Sequence, residues 1–326
     1  MESLEQVFNI PPEALSFVNG ELVGPSFRLR PNDVLEFIKQ FGEKEGSSFF
    51  RYPGGKFKLR NEIIRLIKPQ LNDSIEYREP FFGGGSIGLQ LLEECPELLS
   101  SVWFNDRDFG IAALWSSVIR YPDDIKQLVM SFAPALEEFY SFKKQLAQVN
   151  HCPLQRKRLV NLGFQKLALH QMSFSGLGEM AGGPLGGKLQ LSDGKIDSRW
   201  SPEFICNKID RIHQALSHKA VRGDSCSCLD FEEMIDGDDS ILYLDPPYYD
   251  QGTALYKHAF MVEDHERLAR LLRHRKGFWL LSYDDCDEIR ALYDWAVVEV
   301  VPVTYSITGT RIKGELLICP RSGLRT

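Results

Sequence analysis

The run Ile241-Leu-Tyr-Leu-Asp245-Pro-Pro-Tyr-Tyr-Asp250 constrains the possible folds of this chain more than any other stretch. Ile241–Leu244 is apolar and too short for a helix, which reads as a buried parallel strand. Pro246 and Pro247 have no backbone N–H, so no neighbouring strand can pair with them and the chain leaves the sheet there. Asp245 is thereby delivered to the carboxyl end of a strand, the edge at which open α/β sheets bind ligands. Proline fixes φ, so the Asp245 carboxylate and the Pro246 carbonyl have set directions, with the Tyr248 ring just beyond. Two rigid acceptors beside an aromatic plane suit a flat ring that bears an amino group. Without other support, Asp-Pro-Pro is equally an ordinary strand-ending turn.

At 326 residues the chain has room for one large α/β domain with a smaller inserted or appended one. Its 43% hydrophobic and 25% charged residues are those of an ordinary soluble globule. No apolar run approaches the roughly 20 residues that span a bilayer, and the acidic N-terminus lacks the order of a secretory signal. A cytoplasmic protein without a membrane partner is expected. The seven cysteines are scattered, and Cys226-Ser-Cys228 has no second pair at zinc spacing, so free thiols and no metal are expected. With a net charge of −7, a nucleic-acid partner requires a local basic face. Two runs offer one: Arg51, Lys56, Lys58, Arg60, Arg65 and Lys68 against Glu62, and Arg156, Lys157, Arg158 and Lys166 without an intervening acid. Such runs also arise as solvated helix faces.

In chain order, residues 1–45 form an extension of unassigned role that ends in a helix-like segment, Asn32–Glu43, with a start signal at Pro31-Asn32 and Glu36. A turn at Arg51-Tyr52-Pro-Gly-Gly-Lys56 leads into an amphipathic helix, Leu59–Ile67. A strand at Ile75–Glu79 runs into Pro80-Phe81-Phe82-Gly83-Gly84-Gly85-Ser86 and a helix, Ile87–Glu94; a second strand, Val102–Phe104, ends in Asn105–Asp108. Strand, loop, helix and strand make the unit of a parallel, doubly wound sheet. From about 115 to 215 that rhythm lapses. Helical patterns fill Asp123–Val149 and Pro153–Gln171, and Phe174–Lys188 is a glycine-rich hairpin or binding loop. Strands return at Ala220–Arg222, Ile241–Leu244, Phe278–Leu281, Ala296–Val303 and Leu316–Ile318, with a helix at Glu263–His274 and the last two strands antiparallel.

Glycines directly after a strand let backbone approach a ligand and open a helix N-terminus to an anion. Gly83–Gly85 alone is a weak signal. Asp106, at the end of the next strand, suits the hydroxyls of a ribose, or equally a helix cap. Asp224-Ser225 at a third strand end suits an adenine amino group. Three strand ends then converge on one nucleoside, and a fourth carries Asp245.

Tyr52-Pro-Gly-Gly-Lys56, Glu79-Pro-Phe-Phe-Gly-Gly-Gly-Ser86, Asn105-Asp106 and Asp245-Pro-Pro-Tyr248, in this order, resemble the Dam-type (D12 class) N6-adenine DNA methyltransferases from about Phe49 to the C-terminus. The resemblance implies an α/β fold: a doubly wound, mostly parallel, seven-stranded Rossmann-like methyltransferase sheet with an inserted helical target-recognition subdomain that carries a hairpin. Residues 46–115 and 216–326 would form the catalytic domain and 116–215 the insertion. It implies S-adenosylmethionine as methyl donor, no metal, double-stranded DNA as partner and no obligate protein partner, as in restriction–modification systems. Residue by residue, Tyr52 and Lys56 match the first cofactor motif, Lys56 meeting the methionine carboxylate or a phosphate. Phe81, Gly83, Gly85 and Ser86 match the loop beside the methionine. Asp106 matches the ribose ligand and Asp224 the adenine contact. Asp245, with the Pro246 carbonyl, matches the catalytic acceptor pair, and Tyr248 the ring that stacks on the target base; Phe260 or Tyr256 is a second stacking face or a core aromatic. DNA contacts are expected at Arg156, Lys157, Arg158, Ser175, Glu179 and Lys188, with Lys195 and Arg199 also available for phosphate. Ser175 stands where the enteric pattern has Asn, and Glu179 where it has Arg. Two rivals remain: a cytosine-N4 methyltransferase and a catalytically idle DNA-binding relative.

Overall fold

Strand β7 (Ser240–Leu244) is buried along its whole length and lies at the middle of a seven-stranded mixed sheet. In the computed structural model the described residues are 48–50, 56, 59–174, 178–180, 183–191, 194–249, 260–305 and 311–321, with the backbone of three strands nearer the N-terminus. Those three are β1 (Ala14–Val18), β2 (Glu21–Val23) and β3 (Leu35–Lys39), an antiparallel sheet in the order β2-β1-β3 within a unit of its own, Met1–Gly46. Asn19-Gly20 separates β1 from β2, the two-residue pair favoured in tight hairpins. The helix expected over Asn32–Glu43 is corrected by β3, which pairs Leu35 with Val18 and Lys39 with Ala14. The cap signals there are local, and pairing with a strand some twenty residues earlier overrides them.

Residues Ser47–Thr326 form the second unit. Its sheet has the order β6-β5-β4-β7-β8-β10-β9, with β4 (Glu76–Glu79), β5 (Ser101–Phe104), β6 (Ala220–Val221), β8 (Trp279–Asp284), β9 (Val297–Tyr305) and β10 (Arg311–Cys319). β4 to β8 are parallel, and β10 runs antiparallel to both β8 and β9. The expected antiparallel pair at the C-terminus is therefore present. Successive strands step one way from β4 through β5 to β6 and the other way from β7 to β8. The reversal between β4 and β7 is the topological switch point, where a doubly wound sheet opens a crevice beyond its carboxyl ends.

The alternation of side chains divides the core into two layers. Ile241, Tyr243 and Leu280 face one cluster, while Leu242, Leu244, Trp279 and Leu281 face the other. The first layer takes α1 (Arg60–Ile67), α2 (Ser86–Glu94), α3 (Phe109–Arg120), α4 (Pro122–Ser131), α5 (Leu136–Ala147), α6 (Arg156–Met172) and α7 (Pro202–Ser217). The second takes α8 (Glu232–Ile235), α9 (Val262–His274) and α10 (Asp287–Leu292). The helical patterning expected over Asp123–Val149 resolves into two helices, parted at Phe132–Ala135, where Pro134 cannot donate to a helix.

Helix α6 approaches α3 at Gly163, where a β-carbon would stand 2.6 Å from the Leu114 Cα, 2.7 Å from its N and 2.8 Å from the Ala113 carbonyl oxygen. These are backbone atoms and cannot rotate away. Gly163→Ala is expected to destabilise the fold by about 1–3 kcal/mol, since overpacking forces the two helices apart. Denaturant unfolding checks this, and an unchanged midpoint would show that the helices part freely.

The glycine-rich stretch after α6 folds back on itself without a ladder of strands among the described residues. Ser173 and Pro184 form one antiparallel bridge, Phe174 N–H donates to the Gly183 carbonyl (3.1 Å) and Leu185 N–H to that of Met172 (2.7 Å).

Candidate active site

The carboxyl end of β4 delivers Glu79-Pro80-Phe81-Phe82 into the glycine loop ahead of α2. Gly83 and Gly85 have φ of 47° and 69°, left-handed values that strain any residue with a side chain. At Gly85 a β-carbon would also come within 2.8 Å of the Phe82 ring. Phe82 stacks on Phe104 at 4.0 Å between centroids, and the Trp115 Nε1 donates to the Gly83 carbonyl (2.8 Å). The loop is therefore held from below by aromatic rings, with bare backbone at the sheet edge. Ser86 is the first residue of α2.

Asp106, after β5, reaches back to this loop. Its Oδ2 accepts from Gly83 N–H (2.7 Å) and its Oδ1 from Asp108 N–H (2.9 Å). Burial and the neighbouring Asp108 push its carboxyl up to about 7. Asn105, beside it, ties the ends of β4 and β5 to the chain beyond β6. Its Nδ2 donates to the carbonyls of Pro80 (3.0 Å) and Leu229 (3.3 Å), while its Oδ1 accepts from Leu229 N–H and Ser227 Oγ (both 2.8 Å). Sequence reading quoted Asn105 only as part of a motif and gave it no task. The segment that meets these groups is Ser227–Leu229, beyond β6, and Asp106 N–H donates to the Ser227 carbonyl (3.0 Å). Asp224 lies three residues earlier, exposed, with φ 47°.

Asp245 leaves the end of β7 beside the glycine loop's strand, with buried Pro246 and Pro247 behind it. Its side chain is 27% exposed, and its Oδ1 lies 3.1 Å from the Lys56 Nζ and accepts from Ser282 Oγ (3.2 Å). Burial raises the Asp245 carboxyl, with Lys56 opposing. Lys56 is buried and also donates to the Tyr248 hydroxyl and the Glu315 carboxylate; the Tyr248 hydroxyl donates to the same Glu315 oxygen. Burial alone would strip the Lys56 proton, but Asp245 and Glu315 more than offset it and hold the ammonium charged. Its described partners are thus protein groups at the Asp245 end of the crevice. Glu315, on β10, was missed by sequence reading. The available signal was a charged residue at the head of an apolar strand, since Glu is almost never fully buried unless paired.

Phe81 packs against Phe260 (5.5 Å) and Phe231 (5.8 Å), and Phe260 and Phe231 lie 5.2 Å apart. Of the two readings for Phe260, the described contacts are those of a core aromatic. Tyr52 and Tyr256 lie outside the described residues, as does Ser175.

The family model of the D12 class N6 adenine-specific DNA methyltransferases matches residues 52–307. The chain belongs to that family. It is an adenine-N6 DNA methyltransferase, with DNA as its substrate class. No curated protein matches the chain. Among solved structures, the rRNA methyltransferase aviRa from Streptomyces viridochromogenes is similar over 82% of this chain and 84% of its own, at 12% identity and a TM-score of 0.35. Among the described residues of this D12 enzyme no helix is long and apolar enough to cross a membrane, and no cluster of His, Cys, Asp or Glu has the makings of a metal site.

The residues considered for DNA contact in the methyltransferase fall into two groups. Lys157, Arg158 and Lys188 are exposed. Arg156 is engaged by Asp124 through two hydrogen bonds of 2.6 Å and lies over the Tyr121 ring. Lys166, counted with the basic run, is buried and pairs with Asp108 (2.6 Å) and Glu179 (2.7 Å), whose side chain is 7% exposed. Glu179 is thus turned inward, onto the helix that carries Lys166, and its described contact is a buried ion pair. The glycine-rich loop is tied by it to Asp108, and through Asp108 N–H to Asp106.

Proposed function

We propose that this D12 enzyme transfers the methyl group of S-adenosylmethionine to N6 of an adenine turned out of duplex DNA. The observation that carries the reading is the position of Asp245 and Pro246 at the carboxyl end of β7, next to β4 and its left-handed glycine loop at the switch point. The residues present fit the donor. The left-handed turns at Gly83 and Gly85 present backbone rather than side chains at the sheet edge, and each Asp106 oxygen, already accepting one backbone N–H, retains a lone pair for a ribose hydroxyl. When bound, S-adenosylmethionine supplies a sulfonium methyl whose bonding pair stays on sulfur while the N6 lone pair forms the new bond and N6 loses one proton.

Extruding the base costs a few kcal/mol and is needed because a stacked, paired adenine cannot present its amino group. Asp245 and the Pro246 carbonyl then accept from the amino group and stabilise positive charge growing on nitrogen, with acceptors preset by the proline backbone. Burial raises the Asp245 carboxyl, which suits it to hold the proton that N6 releases. Tyr248 stacks on the base, its ring plane set by the tether of its hydroxyl to Lys56 and Glu315. Helices α4–α6, the glycine-rich loop and most of α7, the part of the chain from 116 to 215, form the target-recognition part, with Lys157, Arg158 and Lys188 on phosphates, which position the duplex without reading it.

Labelled methyl donor and unmethylated duplexes of mixed sequence test this reading. Label on N6-methyladenine supports it; label on cytosine, or none at all, would defeat it.

Asp106 adds a pH signature. A ribose hydroxyl donates to the ionised carboxylate, and protonation weakens that acceptor. Cofactor affinity is therefore expected to fall as pH drops through about 7, by about ten- to a hundredfold in all, the loss of one charge-assisted hydrogen bond. Calorimetric titration of the donor across that range checks it, with Asp106→Asn expected to lose the dependence. A flat affinity in the parent chain would remove Asp106 from the cofactor site.

A further inference from the structure

We infer that Glu315 is a positioning residue for methyl transfer: its carboxylate takes up the Lys56 ammonium, so that the cluster around Asp245 stays net negative towards the amino group it receives. The inference rests on the reading of Asp245 above.

Lys56 Nζ stands 3.1 Å from Asp245 Oδ1. A lysine beside a carboxylate keeps it ionised, yet a lysine and an aspartate alone make a neutral pair, a poor neighbour for nitrogen that is becoming positive. Glu315, its side chain 2% exposed, supplies the second negative charge. One ammonium then faces two carboxylates, leaving one net negative charge, and Asp245 Oδ2 has none of the hydrogen bonds described for Oδ1. Glu315 reaches the site from β10, paired with β8 at Asp284. The same Glu315 oxygen receives the Tyr248 hydroxyl, so charge and ring plane are set by one group.

Asp245 is faced by Lys56 from the segment ahead of α1, by Glu315 from β10 and by Ser282 from β8. Glu79 from β4, Tyr243 from β7 and Tyr283 from β8 complete its charged and titratable surroundings among the described residues. Of these, Lys56 and Glu315 act on it with opposite sign. Their removal must move its titration in opposite directions, which a merely structural role cannot do.

The test is the carboxyl 13C titration of Asp245 in the free, full-length protein, assigned through Asp245→Asn, together with single-turnover transfer at saturating donor and duplex. Glu315→Gln is expected to move the Asp245 midpoint down, and Lys56→Met to move it up by about one pH unit or more. At the pH plateau Glu315→Gln should slow transfer about ten- to a hundredfold, less than the loss of a group that touches the reacting atom, with donor and duplex affinities unchanged. If Glu315→Gln does not melt cooperatively, Lys56→Met/Glu315→Gln is compared with Lys56→Met, and the midpoint should fall between the two. An Asp245 midpoint that stays put or rises on removing Glu315, or a loss confined to affinity, overturns the inference. Opposite shifts in a chain that methylates no adenine would leave the charge cluster standing and overturn the proposed function instead.

Discussion

Asp245→Ala is expected to slow methyl transfer by at least about two to three orders of magnitude, the effect of deleting a preset group at the reacting atom. Duplex affinity should stay within a few-fold of the parent, because on the proposed reading it comes from phosphate contacts at exposed residues such as Lys157, Arg158 and Lys188. The same substitution should not lower the melting temperature near neutral pH. Burial raises the Asp245 carboxyl above its value in the unfolded chain, so the ionised form is carried at a cost to the native state. The sign follows: with a raised folded value, stability is lost as pH climbs through the interval between the two, and Ala removes that loss. Lys56 keeps Glu315 as a partner in the variant. Filter binding, single-turnover transfer and thermal melts separate the three effects. A fall in duplex binding as large as the fall in turnover would mean that Asp245 holds DNA.

Lys166→Met should produce the largest change in stability. The ammonium is buried between Asp108 and Glu179, and both carboxylates keep it charged although burial alone would oppose this. Removing it leaves two acids without their cation at a site where neither side chain is more than 13% exposed. Breaking a buried pair from one side costs about 3–5 kcal/mol. Denaturant unfolding near neutral pH checks the figure, and a loss under about 1 kcal/mol would mean that the carboxylates are solvated. Cofactor binding should also weaken, since Asp108 caps α3 through Gly110 and Ile111 N–H and positions Asp106 through its own N–H. The glycine-rich loop after α6 and the glycine loop ahead of α2 then share one strut.

What was legible in the chain follows from where the physical signal lies. Strands β5 and β7 announce themselves because buried parallel strands are mainly apolar and these two run into Asn105-Asp106 and Asp245-Pro246, whereas β4 reads Glu76-Tyr-Arg-Glu79 and is marked chiefly by the glycine loop that follows it. Asp245 and Asp106 could be placed at strand ends for that reason. Helix α3 was hidden by its own burial: residues 110–118 are all buried, so no polar face marks its period. Helix α7 does carry the period, with Ile205, Ile209, Ile212 and Leu216 buried, although it follows a glycine-rich stretch without strand or helix signals of its own.

In the basic runs much of the charge compensation comes from residues distant in the chain. Arg156 finds Asp124, Lys166 finds Asp108 and Glu179, and Arg65 finds Glu62 and Glu299. Glu315 is the same lesson in the active site, where its partner Lys56 lies 259 residues away. No periodicity or spacing can announce such a pair; only the antiparallel return of β10 beside β8 creates it.

The most direct measurement of the central claim is a structure of the full chain with duplex and a donor analogue that cannot transfer its methyl group. The target N6 should lie within about 3.2 Å of both an Asp245 carboxylate oxygen and the Pro246 carbonyl, facing the donor carbon. An extruded adenine held elsewhere, with Asp245 turned wholly onto Lys56 and Ser282, would contradict it.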